Sequence, residues 1–167
     1  NKADDSFEND EYSFDILLAI PPHIAPKVIY DSNLAKEPGF IPINRDCKTP
    51  HENIFAVGDV TSLVVTDSMA VPKAGIFAEG EGITVAKNIV LKLESKESSA
   101  LFDGKGGCFL ESGRDTASII EVDMFTDPKP STRLTESTKD NLSKKLDFEK
   151  ERLSKWLWTI FLICFSS

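Results

Sequence analysis

The chain has 167 residues, a formal net charge of −8 and 41% hydrophobic content including eleven phenylalanines. That is enough apolar mass for one packed domain, with or without an appendage. The acidic balance with no basic patch excludes a surface built for nucleic acid, and three cysteines without a CxxC plus two histidines exclude a zinc or iron–sulfur pattern, so no metal is expected.

An odd thiol count without a signal peptide fits a reducing, cytoplasmic setting. Asn1 to Glu11 is acidic and polar and is expected to be a frayed end, with one β-hairpin arm near Phe7 at most. Tyr12-Ser-Phe-Asp-Ile-Leu-Leu-Ala-Ile20 predicts a strand, stopped by Pro21-Pro22, because proline cannot donate to a ladder. His23 follows; histidine is the residue type suited to carrying protons at physiological pH, so it reads either as a proton carrier beside a cofactor or as an ordinary loop residue. Ile24 to Leu34 predicts a short helix or loop.

Thr49-Pro-His-Glu-Asn-Ile-Phe-Ala-Val-Gly-Asp59 carries the most information. It reads as a turn, then an apolar strand from Ile54 to Val57 buried on both faces of a parallel sheet. Gly58 removes a Cβ where a ligand approaches the backbone. Asp59 offers a carboxylate at the strand's carboxyl end, where open α/β folds bind ligands. His51, Cys47 and Cys164 take no role.

Val60 to Met69 predicts an irregular connection. Pro72 is well placed to open a helix running from Lys73 to about Leu93. Ile76, Phe77, Ile83, Ala86, Ile89, Val90 and Leu93 largely follow helical spacing and predict its core face. Gly80 and Gly82 each weaken it by roughly 1 kcal/mol and permit close packing. Lys92 to Ser99 is charged and serine-rich, the expected boundary into a second module.

Leu101 to Gly107 predicts a glycine-rich turn, not a phosphate loop, since the Gly-Lys-Ser/Thr ending is missing. Cys108–Glu111 and Thr116–Phe125 flank Ser112-Gly-Arg-Asp115, a β-hairpin pattern, with Pro128 and Pro130 ending the second arm. From Ser137 the chain turns helical, with Leu142, Leu146, Leu153, Leu157 and Ile160 on one face and Glu151–Lys155 as an i,i+4 pair. Trp156 to Phe165 is apolar but well short of the roughly 20 residues that span a bilayer. With the preceding lysines and Arg152 it suits a membrane interface, or it packs back on the body, or it is a frayed tail.

Thr49, Ile54, Phe55, Ala56–Val57, Gly58 and Asp59 together resemble the second flavin-binding motif of the two-dinucleotide-domain flavoproteins. The Phe14–His23 run, Gly39–Ile43, Pro72–Glu79, the Gly104–Gly113 hairpin and residues 147–156 are similar, in the same order, to sulfide:quinone oxidoreductases. The resemblance covers roughly residues 12 to 156. It implies an α/β fold, the carboxyl-terminal part of a Rossmann-like flavoprotein plus a small α+β module. The implied divisions are a frayed end (1–11), a crossover strand and second half of the FAD-binding domain (12–93), a hairpin and helix module (94–155) and an apolar tail (156–167).

The resemblance further implies FAD as cofactor. Asp59 with Gly58 would hold the ribityl chain. Lys73, Ala74, Gly75 and Ile76 would hold the pyrimidine side of the reduced ring, where a helix amino end favours negative charge. Cys108 would stand at the position of the family's redox cysteine, although the second cysteine of that chemistry has no counterpart here. Electrons would pass from sulfide or NAD(P)H through flavin to a quinone, with peripheral membrane contact through the tail. Two alternatives stay open: a type II NADH dehydrogenase-like enzyme in which Cys108 is structural, and a non-catalytic interaction module. The chain opens on Asn1 and holds no Gly-x-Gly-x-x-Gly, the turn that family uses for the FAD pyrophosphate. It is therefore expected to be the carboxyl-terminal part of a longer enzyme, inactive and poor at binding FAD by itself.

Overall fold

A computed structural model of the chain describes residues 12–35 and 39–165, without the side chains of 158–165. The acidic end expected at 1–11 and the thiol of Cys164 lie outside the described residues. In chain order the elements are α1 (Lys27–Asp31), β1 (Ile41–Pro42), a 3-10 turn (Gly58–Val60), β2 (Thr61–Ser62), β3 (Val64–Thr66), β4 (Met69–Ala70), α2 (Gly75–Leu93), β5 (Lys105–Gly113), β6 (Thr116–Asp123), β7 (Ser131–Leu134) and α3 (Lys139–Phe165).

The architecture is mixed α/β with small sheets. The only parallel pairing among the described residues joins β1 to β2, with Ile41 opposite Thr61. A doubly wound parallel sheet is absent from them, so they give the expected α/β class without its Rossmann-like form. β3 and β4 form a short antiparallel hairpin in what reads from sequence as an irregular connection. β5, β6 and β7 make an antiparallel sheet with Cys108 opposite Ile120. Its first hairpin turns through Arg114 and Asp115, both at positive φ, as a tight hairpin turn requires.

Two expected strands do not form. Tyr12 to Ile20 has no strand pairing, and its apolar side chains lie in solvent, Leu18 at 94% exposure. Ile54 to Val57 makes a single bridge, Phe55 to Lys48, and Ile54 and Val57 are each 39% exposed. A strand persists only where another strand takes its ladder hydrogen bonds, and no named strand pairs with either stretch among the described residues. Instead residues 47–56 fold back on themselves: Thr49 N–H donates to Ile54 O and Ala56 N–H to Cys47 O. The glycine-rich turn is also shorter than expected, because Gly106 and Gly107 already belong to β5.

The core gathers Ile41, Ile43, Cys47, Leu63, Phe77, Phe102 and Met124 around α2. Phe102 is its hub, meeting Phe77 and Phe125 edge-on at 6.2 Å each, the arrangement ring quadrupoles favour. Helix α2 turns an unexpected face inward. Its buried residues are Phe77, Glu81, Thr84 and Asn88, whereas Ile83, Ile89, Val90 and Leu93 are exposed. Burying polar groups is tolerable only when each is hydrogen-bonded, and each is. Thr84 Oγ1 donates to Gly80 O, Asn88 clasps both the N–H and the carbonyl of Ala100, and Glu81 accepts from Gly58.

The expected leucine stripe of α3 is likewise largely open: Leu146, Leu153 and Leu157 are exposed, and Asn141 is buried instead. Lys155, expected to pair along its own helix, reaches across to Glu79.

Candidate functional site

Gly58 and Asp59 open the 3-10 turn at the end of the 47–57 stretch. Gly58 sits at φ +79, a conformation costly for residues with a Cβ, so the glycine is required by the backbone. The turn is tied at both ends. Gly58 N–H donates to Glu81 Oε2 at 2.6 Å, and Thr61 Oγ1 donates to Gly58 O at 2.9 Å.

Opposite it, α2 begins at Gly75 after an N-cap Ala74 that has no side-chain oxygen to cap it. The first amides of a helix have no partner within it, and a Cβ on Gly75 would meet nothing within 4 Å. The amides of Gly75 and Ile76 are therefore accessible to a ligand. Lys73 stands before the helix, its Nζ donating to Thr61 O at 2.5 Å and lying 3.9 Å from the centre of the Phe40 ring. Burial lowers the Lys73 pKa, against the pull of the Asp59 and Glu81 carboxylates. Burial likewise raises that of Glu81, against the Gly58 N–H and Lys73.

Of the residues singled out from sequence, Gly58, Asp59, Lys73 and Ala74 line one narrow cleft, with Glu81 at its floor. Gly75 and Ile76 line a second, larger hollow that adjoins the first at Ala74. That hollow, of about 660 Å³, lies between the opening of α2, strand β5 and helix α3. Cys108 and Phe109 from β5 line it with Phe148, Leu153 and Trp156 from α3, Phe109 and Phe148 meeting with ring centres 5.9 Å apart, and Lys145 and Arg152 complete the lining on the α3 side. Cys108 is exposed. A third hollow brings His23 alongside Asp59 and Lys73.

Two participants went unnoticed in the sequence. Glu81 reads there as one more polar helix position; its spacing from Phe77, Thr84 and Asn88 was the available signal. Glu79 joins α2 to α3 by accepting from Arg152 and from Lys155. Among the described residues no group of three or more His, Cys, Asp or Glu side chains is placed to hold a metal, and no helix is long and apolar enough to cross a membrane.

No protein-family profile matches the chain. The chain is 26% identical over 123 residues to the mitochondrial sulfide:quinone oxidoreductase of Schizosaccharomyces pombe, an alignment covering 72% of this chain and 26% of that protein. It thus spans about a quarter of the length of this curated relative. At that distance the similarity supports relation to a flavoprotein oxidoreductase family at most.

Proposed function

We propose that this chain is part of an FAD-dependent oxidoreductase that moves electrons from sulfide or another reductant, through flavin, to a quinone. The observation that carries the reading is proximity: the Gly58–Asp59 turn and the Lys73–Ala74 entry to α2 line one crevice of about 10 Å³, side by side where a single ligand lying over them would meet both. The two stretches are separated in sequence, and each resembles a flavin-binding segment. The residues present fit the group. Asp59 is an exposed carboxylate able to accept from ribityl hydroxyls, and Gly75 leaves the backbone open to close approach.

FAD, when bound, would supply two-electron exchange between donor and acceptor. The protein's part is electrostatic and steric. The uncapped amides of Gly75 and Ile76 and the Lys73 ammonium would stabilise negative charge on the ring by roughly 0.3 to 2 kcal/mol. The adjoining hollow, walled by Phe109, Phe148, Leu153 and Trp156, suits a flat apolar head group such as a quinone. Cys108 lines that hollow as well, exposed to what would occupy it.

A second reading, hydride supply from NAD(P)H with Cys108 structural, is favoured by one observation. Cys47, the other described thiol, is wholly buried in the core and offers Cys108 no partner for sulfur exchange. The test of the flavin reading is FAD titrated to millimolar concentration into the chain, followed by amide chemical shifts. The Gly58, Asp59, Gly75 and Ile76 amides are expected to move together with weak affinity. Shifts scattered elsewhere, or none, overturn it.

A further inference from the structure

Glu81 is the only charged residue buried among the described ones, at 2% exposure, and nothing in the proposed electron transfer uses it. A buried carboxylate is expensive unless its charge is met by donors, so its surroundings say what it is for. Its Oε2 takes the N–H of Gly58 at 2.6 Å, the short, charge-assisted kind of hydrogen bond.

That contact closes a circuit. The N–H of Gly58 is tied to Glu81, and its carbonyl accepts from Thr61 Oγ1 at 2.9 Å. The Thr61 carbonyl accepts from Lys73 Nζ at 2.5 Å, and Lys73 leads directly into α2, on which Glu81 itself sits. Glu81 stands six residues after Gly75, about 9 Å along the axis, so the carboxylate fastens the turn beside the helix's opening. Close packing reinforces it, since a Cβ on Gly58 would lie 3.5 Å from that of Ala78. The charged groups facing Glu81 are Lys73, which offsets its charge, and Asp59, which opposes it.

We propose that Glu81 is a positioning residue: its carboxylate holds the Gly58–Asp59 turn in register with the first turn of α2, so that both reach one flavin at once. The inference rests on the flavin reading for its ligand, but not for its geometry. A residue that merely filled space would leave the Gly58 amide and its response to ligand unchanged when the acceptor at Oε2 is withdrawn.

The experiment compares the wild-type chain with Glu81→Ala, Glu81→Gln and Glu81→Asp, reading amide hydrogen exchange at Gly58 and the FAD-induced shifts of Gly58, Asp59 and Gly75. Glu81→Ala is expected to speed Gly58 exchange roughly tenfold, as loss of one charged hydrogen bond implies. It should also abolish the shifts at Gly58 and Asp59, keep that at Gly75, and weaken FAD by a similar factor. Glu81→Gln, which keeps an acceptor oxygen, should restore Gly58 protection to within about threefold of wild type. Glu81→Asp shortens the reach by one methylene and should behave as the alanine variant does; it decides the matter should Glu81→Ala lose the helix. Unchanged Gly58 exchange in the aspartate or alanine variant overturns the proposal. Wild-type chain whose amides ignore FAD overturns the flavin reading instead, while the exchange comparison still judges the role of Glu81.

Discussion

A methyl group placed on Gly80 would stand 2.7 Å from Cε2 of Phe102, whereas one placed on Gly82 would meet no atom within 4 Å. The two glycines lie about 200° apart around α2, one against the core and one away from it. Phe102 is held by its neighbours at 1% exposure, so the ring cannot swing aside. Gly80→Ala is therefore expected to destabilise by about 1–3 kcal/mol through overpacking. Gly82→Ala should stabilise by roughly 0.4–1 kcal/mol, because alanine loses less conformational freedom in a helix. Urea unfolding of the two variants beside wild type checks this, and shifts of the same sign would refute the packing described.

Cys47 should make stability depend on alkaline pH, and it should separate from Cys108 by reactivity. Burial of Cys47, with Glu81 and Asp46 nearby, pushes its thiol from an ordinary 9.0 up to about 12. The folded chain then holds a proton that the unfolded chain has released. The resulting stability is complete below about pH 9 and declines as pH rises toward 12. The unfolding midpoint of wild type should fall more steeply across that window than that of Cys47→Ala, even though the alanine variant is less stable overall. In the native chain at pH 8 an alkylating reagent should modify Cys108, which is exposed, and spare Cys47 until denaturant is added. Peptide mass mapping reads the order.

The parts of this fold carried by local chemistry are legible in the residues. Pro72 and the run after it mark α2, whose observed span, Gly75–Leu93, starts within two residues of the expected Lys73. Ser112 to Asp115 marks the β5–β6 turn. What periodicity does not reveal is which face meets what. Ile83, Val90 and Leu93 have the spacing of a buried stripe yet are exposed, while the inward stripe of α2 is largely polar because, beside the apolar core that Phe77 joins, Glu81 and Asn88 meet the backbone of Gly58 and Ala100. Asn88 is the clearest case: its amide replaces a backbone partner for Ala100, a pairing twelve residues away that no hydropathy pattern encodes. The strands expected at 12–20 and 54–57 fail for a related reason, since a strand is a property of a pair and sequence shows one member. For the candidate site, the sequence points to Gly58, Asp59 and the Lys73–Ile76 turn; the structure adds that Lys73–Ala74 and Gly58–Asp59 line one cleft together with Glu81.

Asn88 itself gives a third prediction. It is fully buried, with Nδ2 donating to Ala100 O and Oδ1 accepting from Ala100 N–H, each at 2.9 Å. Asn88→Ala leaves both backbone groups without these partners in the interior, and each orphaned group costs about 1–3 kcal/mol. A loss of roughly 2–4 kcal/mol is expected after partial relaxation, accompanied by faster hydrogen exchange at Ala100. Asn88→Asp keeps the acceptor but replaces the donor by a charge and should be no better. A loss below about 1 kcal/mol in the alanine variant would mean that the 98–102 segment is not held through this side chain.

Glu79 bridges two helices across the large hollow, and its contribution should depend on both salt and acid. Its carboxylate accepts from Arg152 and, at 3.2 Å, from Lys155, and the Arg152 guanidinium also lies 5.0 Å from the Phe148 ring centre. The Arg152 hydrogen bond holds Glu79 below the usual carboxylate range, with Lys155 adding to it. For a carboxyl whose folded value is depressed, the linkage stabilises above the unfolded value, near 4.5, and is lost as pH falls through the folded one. Glu79→Gln should therefore free the 150–156 turns of α3 at neutral pH, raising amide exchange there by up to about fivefold, the factor for an exposed pair worth 1 kcal/mol or less. The difference from wild type should shrink in molar salt, where the Debye length is about 3 Å, and again below the folded pKa of Glu79. Exchange in α3 that ignores the substitution at low salt and neutral pH would show that sheet packing alone holds this helix over the hollow.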